Sequence, residues 1–260
     1  MRLEQIDIVI PTCPKDIETL PYVVEGVRKN IIGCGKIYII CSKELESFTQ
    51  GCIFIDERTF PFSPEMVINC VKDKLCYGKN PLWYYQQLLK LYAHCVISGL
   101  SESHLIVDSE TIFYKPYTPL ENGKAVYTTS DEINEKYRLH IKLLLPEIQI
   151  HSPVKSGICH QMLFQRTILE DLFNKVSASF TQRYGYTLPF WKIMLFFATN
   201  LSHVIIDYSE YDLYYNFIWT FYPDRIQESD TIKWDISSSI PEKSEYTYLT
   251  AHAHLRCAQP

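Results

Sequence analysis

The 260-residue chain is short of glycine, with 9, and those it has never gather into a phosphate-binding loop. Neither G-x-G-x-x-G nor G-x-x-x-x-G-K-[ST] occurs, which excludes a dinucleotide fingerprint and a P-loop. The 9 cysteines are odd in number and no two are spaced C-x-x-C, which argues against a disulfide framework and a zinc knuckle. Cys13, Cys41, Cys52, Cys70, Cys95 and Cys159 have apolar neighbours and read as buried, reduced thiols, hence a reducing, cytoplasmic setting. There is no excess of positive charge: 25 basic residues against 30 acidic ones give −5, so a nucleic-acid partner is not expected. No apolar run nears the roughly 18–20 residues of a membrane span, and no secretory leader is expected.

What is present is apolar and aromatic. Hydrophobic residues make up 47% of the chain, enough for a sizeable core, and aromatics 14%, enough for surfaces on which sugars or bases stack. Residues 6–12, IDIVIPT, form a continuous apolar run that predicts a buried parallel strand. Helical spacing follows over 17–30, then buried strands over 36–42 and 52–57. This order predicts an open nucleotide-binding sheet in one domain. Asn80-Pro81 marks the start of a helix toward Gly99, and Glu132–Leu145 reads as another. Short strands are expected at 112–114 and 125–129. Residues 154–173 open on a glycine loop and are expected to turn helical near His160. The apolar segment from Trp191 reads as a buried helix. Residues 203–219 read as a strand, then a helix capped by Ser209.

The stretch HLIVDSETIFYKP, 104–116, carries two acids one residue apart where an apolar run ends. Residues i and i+2 of a strand share a face, so Asp108 and Glu110 can converge on one hard cation. Mg²⁺ and Mn²⁺ suit such oxygen ligands together with a substrate diphosphate. The loop PTCPKD follows the first strand, where open sheets bind ligands. There Thr12 can meet a base or ribose and Lys15 a phosphate.

The blocks IVIPT, YIICS, WYYQQLLKLY, LIVDSETIFYKP, GICHQMLFQR, FW, SEYDLYYNF and HAHLR, in this order, resemble a family of bacterial and viral GT-A-type nucleotide-sugar glycosyltransferases, many known only as domains of unknown function. The resemblance spans nearly the whole chain. It implies a GT-A, Rossmann-like open mixed sheet flanked by helices in a single domain. Residues 1–118 would form the nucleotide and metal half and 119–260 the acceptor side. It implies a DxD-like metal site for Mn²⁺ or Mg²⁺, here with Glu110, one methylene longer, as the second acid. The donor would be a nucleotide-diphosphate sugar, a UDP-sugar foremost, and the acceptor a glycan or other hydroxyl compound. A late histidine completes the metal site; by spacing His252 and His254 both qualify, and the resemblance prefers His252. Donor contacts are expected from Pro11, Thr12, Lys15, Gln87, Lys90, Asp108, Ser109 and Arg256. Gly157 would let the backbone approach a ligand, and His160 would stand by donor sugar or acceptor. Glu210 is expected to be the base that takes the acceptor proton in an inverting transfer. Trp83 offers a base-stacking platform or core packing, and Trp191 an acceptor groove or core packing. A sugar-phosphate nucleotidyltransferase and an inactive binding module are the alternative readings.

Overall fold

The computed structural model describes residues 4–49, 51–72, 80–199, 206–252 and 255. Apolar continuity places β1 (Ile6–Pro11) at the centre, every residue buried. The chain then runs through α1 (Leu20–Asn30), β2 (Cys34–Cys41), β3 (Ile53–Asp56), α2 (Pro64–Val71), α3 (Leu82–Val96) and β4 (Ser103–Val107). Two small sheets and four helices use β5 (Thr111–Phe113), β6 (Leu120–Glu121), β7 (Lys124–Tyr127), α4 (Glu135–Leu144), β8 (Gln161–Gln165), α5 (Arg166–Tyr184), α6 (Phe190–Thr199), α7 (Glu210–Phe221), β9 (Ile226–Glu228), β10 (Trp234–Ile236) and β11 (Tyr248–Thr250), with β8 joining the main sheet.

The main sheet has the order β3-β2-β1-β4-β8. The first four strands are parallel and β8 is antiparallel to β4, so this is an open mixed sheet, as the sequence predicts. The chain moves outward from β1 to β3 and returns to β4 on the other side of β1. That reversal opens a crevice beyond the carboxyl ends of β1 and β4, where ligands bind in such sheets. The flanking sheets are β10-β11-β5 and β6-β7-β9.

Several boundaries differ from the sequence reading. α1 begins at Leu20 rather than near Ile17, because Pro14–Asp16 form a 3₁₀ turn and the Thr19 hydroxyl donates to Asp16 O. The segment expected to turn helical near His160 is first a strand: β8 pairs residue for residue with β4, and α5 starts only at Arg166. A short buried apolar run such as MLF fits either state by pattern, and the open edge of β4 decides it. Residues 206–209 are not a strand, and 201–205 lie outside the described residues. The apolar segment after Leu188 is indeed a buried helix, α6, and Trp191 is core, 3% exposed and packed on Phe62. Of the cysteines expected to be buried, Cys41 and Cys159 are; Cys70 and Cys95 are exposed. No helix among the described residues is long and apolar enough to cross a membrane.

Candidate active site

Asp108 follows β4 directly, and Ser109-Glu110 form a turn closed by the Thr111 N–H on Asp108 O at 2.9 Å. The two acids therefore sit in a turn, not in a strand as the i, i+2 argument assumed. The turn is held from both sides. Ser109 Oγ donates to Asp16 Oδ2 at 3.0 Å, and the Thr19 hydroxyl donates to Ser109 O at 2.8 Å, so the loop after β1 is tied to the turn after β4. On the other side Thr250 pairs with Thr111, and the Ala251 N–H donates to Glu110 O. The next residue, His252, thereby arrives with Nδ1 2.5 Å from Glu110 Oε1.

Asp108 is the hub. Its Oδ1 meets Lys90 Nζ at 2.5 Å and the Tyr211 hydroxyl at 2.8 Å; its Oδ2 meets His160 Nδ1 at 3.1 Å. A carboxylate only accepts, so the His160 proton sits on Nδ1. The His160 Nε2 is buried and finds no partner among the described residues. His160 holds φ +60°, a left-handed conformation that costs a non-glycine residue energy and tends to be kept at functional positions. The His160 and His252 rings stand 4.9 Å apart, edge to face.

Lys90 lies beneath these groups, 4% exposed, bridging Asp108 and Glu210 Oε1 at 2.6 Å above the Tyr211 ring. The sequence places Gln87 and Lys90 off the α3 core stripe, yet both are buried, because α7 packs over that face. Ser209 caps α7 by accepting the Asp212 N–H, and the Glu210 N–H donates to Gln87 Oε1 at 3.0 Å. Burial pushes Glu210 upward against the pull of Lys90. It pushes Asp108 upward too, but Lys90 and His160 outweigh it and hold that carboxyl well below the usual range. Burial likewise works to raise Glu110 and lower His252, and their mutual bond reverses both shifts.

These groups line a cleft of about 300 Å³ that also includes Lys15, Asp16, Trp83 and Tyr137. Lys15 is exposed at its mouth, and Thr12 lies buried with its hydroxyl unpartnered among the described residues. Pro11 ends β1 beside Ile40. A larger groove of about 760 Å³ runs over α1 and has none of these acids or histidines. At Gly157 a Cβ would lie 2.5 Å from Tyr215 Cβ, so its small size serves the packing of α7. Asp212 is likewise structural, accepting from Gly157 N–H and Asn216 Nδ2. His254 and Arg256 lie outside the described residues. Sequence reasoning missed Asp16 and Tyr211. Asp16 ends the PTCPKD motif and Tyr211 directly follows Glu210, so position marked both, but neither residue type announced a tie to the turn.

In kind, the donor set suits a hard divalent cation: Asp108, Glu110 and His252 bring two carboxylates and an imidazole to one rim. As arranged, Glu110 and His252 bond each other while Asp108 bonds Lys90, Tyr211 and His160, and among the described residues no group of three converges on one point.

No family model matches the chain, and no curated protein matches it in sequence. Solved structures of similar shape include mouse xyloside xylosyltransferase 1 in its apo form, 7% identical with a TM-score of 0.46, the likeness covering 95% of this chain and 97% of that one. Galactosyltransferase LgtC in complex with donor and acceptor sugar analogs is 10% identical with a TM-score of 0.49, covering 94% and 86%. An active-site mutant of LgtC gives 10% and 0.47 over the same shares.

Proposed function

We propose that this chain is a glycosyltransferase that moves a sugar from a nucleotide-diphosphate donor, a UDP-sugar foremost, to a hydroxyl acceptor. The observation that carries this reading is the meeting of Glu110 with His252, 142 positions apart, at the switch point between β1 and β4 and beside Asp108. Asp108, Glu110 and His252 would hold Mn²⁺ or Mg²⁺. When bound, the cation would neutralise charge on the departing diphosphate.

The chain's own groups do the rest. The Thr12 hydroxyl would bond the nucleoside and Lys15 would meet a phosphate. In an inverting transfer, an acceptor oxygen bonds the anomeric carbon as the carbon–phosphate oxygen bond breaks, and Glu210 takes the acceptor proton. Lys90 stabilises the ionised form of Glu210 against the cost of burial. His160, its Nδ1 fixed by Asp108 and its Nε2 unpartnered, is the second base in reach of the cleft. Glu210→Gln and His160→Gln separate the two: the variant lacking the base loses about 10²–10⁴-fold in kcat.

The test is a thermal-shift screen of UDP-, GDP-, dTDP- and CMP-sugars with and without Mn²⁺. A donor at a hundredfold excess over Kd stabilises the native state by about 2.7 kcal/mol. A UDP-sugar shift that needs Mn²⁺ is expected; no shift with any donor refutes the reading. Asp108→Ala leaves Lys90 paired with Glu210, so the fold is expected to survive while transfer is lost. A fully active Asp108→Ala protein removes the proposed metal role.

A further inference from the structure

One face of α3 forms a wall of the cleft, and its residues change character along the helix. Trp83, Gln87 and Lys90 stand at i, i+4 and i+7, so the first and last are about 10 Å apart at 1.5 Å per residue. At one end Lys90 grips Asp108 and Glu210. At the other, Trp83 is half-buried and its ring lies 6.0 Å from Tyr137, inclined by 26°. Both rings line the cleft.

Gln87 sits between the two ends, 2% exposed. Its orientation is fixed because Oε1 accepts the Glu210 N–H, one of the α7 N-terminal donors that no helix carbonyl can satisfy. The Nε2 donor is buried and without a partner among the described residues, on a residue that lines the cleft. Buried amide donors are nearly always bonded, so this one points to a ligand oxygen. A fixed amide donor about a turn of helix from a pair of aromatic rings is the means of reading a sugar: C–H faces pack on the rings and a hydroxyl oxygen takes the N–H.

Charge narrows the class. Five acidic side chains, including Glu132 and Glu210, line the cleft against two lysines, Lys15 and Lys90. A divalent cation and a nucleotide-diphosphate sugar largely cancel one another and leave that lining negative. An anionic ring would meet like charge there.

We propose that the Trp83–Tyr137 rings and Gln87 Nε2 form the acceptor subsite, and that the acceptor is an uncharged pyranoside whose ring packs on the aromatic pair while a hydroxyl oxygen accepts from Gln87. This rests on the glycosyl-transfer reading, with Glu210 adjoining the subsite as base. Trp83 thereby serves the acceptor and not the nucleobase.

The experiment is saturation-transfer NMR of the full chain with methyl β-D-glucopyranoside and methyl β-D-galactopyranoside, beside the anionic methyl β-D-glucuronide. UDP-sugar binding is followed separately by thermal shift. At least one neutral glycoside is expected to receive saturation through its ring C–H protons and to bind at least tenfold more tightly than the glucuronide. Trp83→Ala is expected to weaken glycoside binding at least tenfold and leave the UDP-sugar shift unchanged. Gln87→Glu keeps an acceptor for the Glu210 N–H, removes the donor, and is expected to weaken glycoside binding likewise. If Trp83→Ala does not fold, Gln87→Glu decides. The proposal is overturned if neither neutral glycoside binds, if the glucuronide binds as well as they do, if glycoside binding survives both changes, or if Trp83→Ala weakens the nucleotide instead. Loss of the UDP-sugar shift in the unmodified protein would instead count against glycosyl transfer itself.

Discussion

At the scale of the residue, the energetic centre is Lys90. A fully buried ammonium is unfavourable by itself, and two carboxylates within hydrogen-bond distance are unfavourable without it. Burial works to lower the Lys90 pKa, and Asp108 and Glu210 more than reverse it. Removing the cation strands two acids in the interior. Lys90→Met is expected to cost about 3–5 kcal/mol in urea unfolding. Adding Glu210→Gln should return part of that loss, because the second stranded charge is gone; a double variant no more stable than Lys90→Met would show that the two groups are not coupled. Tyr211→Phe keeps the ring beneath Lys90 and deletes the bond to Asp108, with an expected cost of about 1.5–3 kcal/mol on the same measurement. The residue types at Asp108, Glu110 and Glu210 were legible in the sequence, since acids at element ends stand out. The roles of Asp16 and Tyr211 were not, because each depends on a partner about 90 or more positions away.

At the scale of the element, α7 carries Glu210, the proposed base, and is set by local chemistry. Ser209 accepts the Asp212 N–H, and Ser209→Ala is expected to cost about 1 kcal/mol in unfolding free energy. The close approach of the loop before β8 to α7 depends on Gly157. Gly157→Ala places a methyl group against Tyr215, with an expected cost of about 1–3 kcal/mol and a lower unfolding midpoint. An unchanged midpoint would mean that the loop yields without strain. The cap was readable from the sequence and the crowding was not, because the contact of Gly157 with Tyr215 spans 58 positions. β8 shows the same limit: its residues suit a helix start, and hydrogen bonding to β4 makes them a strand.

At the scale of the molecule, histidines buried in the core link the fold to pH. Burial lowers His94 and His140 to about 4 each, where His140 Nε2 lies 2.9 Å from Met194 O. In the unfolded chain such a side chain titrates near 6.5. Between about 6.5 and 4 the unfolded state therefore binds more protons than the native one, so stability falls as pH falls. The contribution is complete above the unfolded value and is lost through this window, by about 2 kcal/mol per histidine at pH 5. Urea midpoints at pH 7.5 and 5.0 check it, and His140→Phe is expected to reduce the difference between them. Equal midpoints at the two pH values would contradict neutral burial.

The sequence by itself determined the continuous apolar strands β1 and β2, the polar interruption after β4, the capped start of α7 and the open sheet built around β1. These follow from periodicity, proline placement and capping, which act over a few neighbouring residues. Only the tertiary structure decided that Glu110 meets His252, that Lys90 faces inward to two acids, that β8 pairs with β4 and that Trp191 is core while Trp83 borders the cleft. Those outcomes depend on which surfaces are covered when distant segments pack. Solvation and pairing across 100 positions or more leave no local signature in the order of the residues.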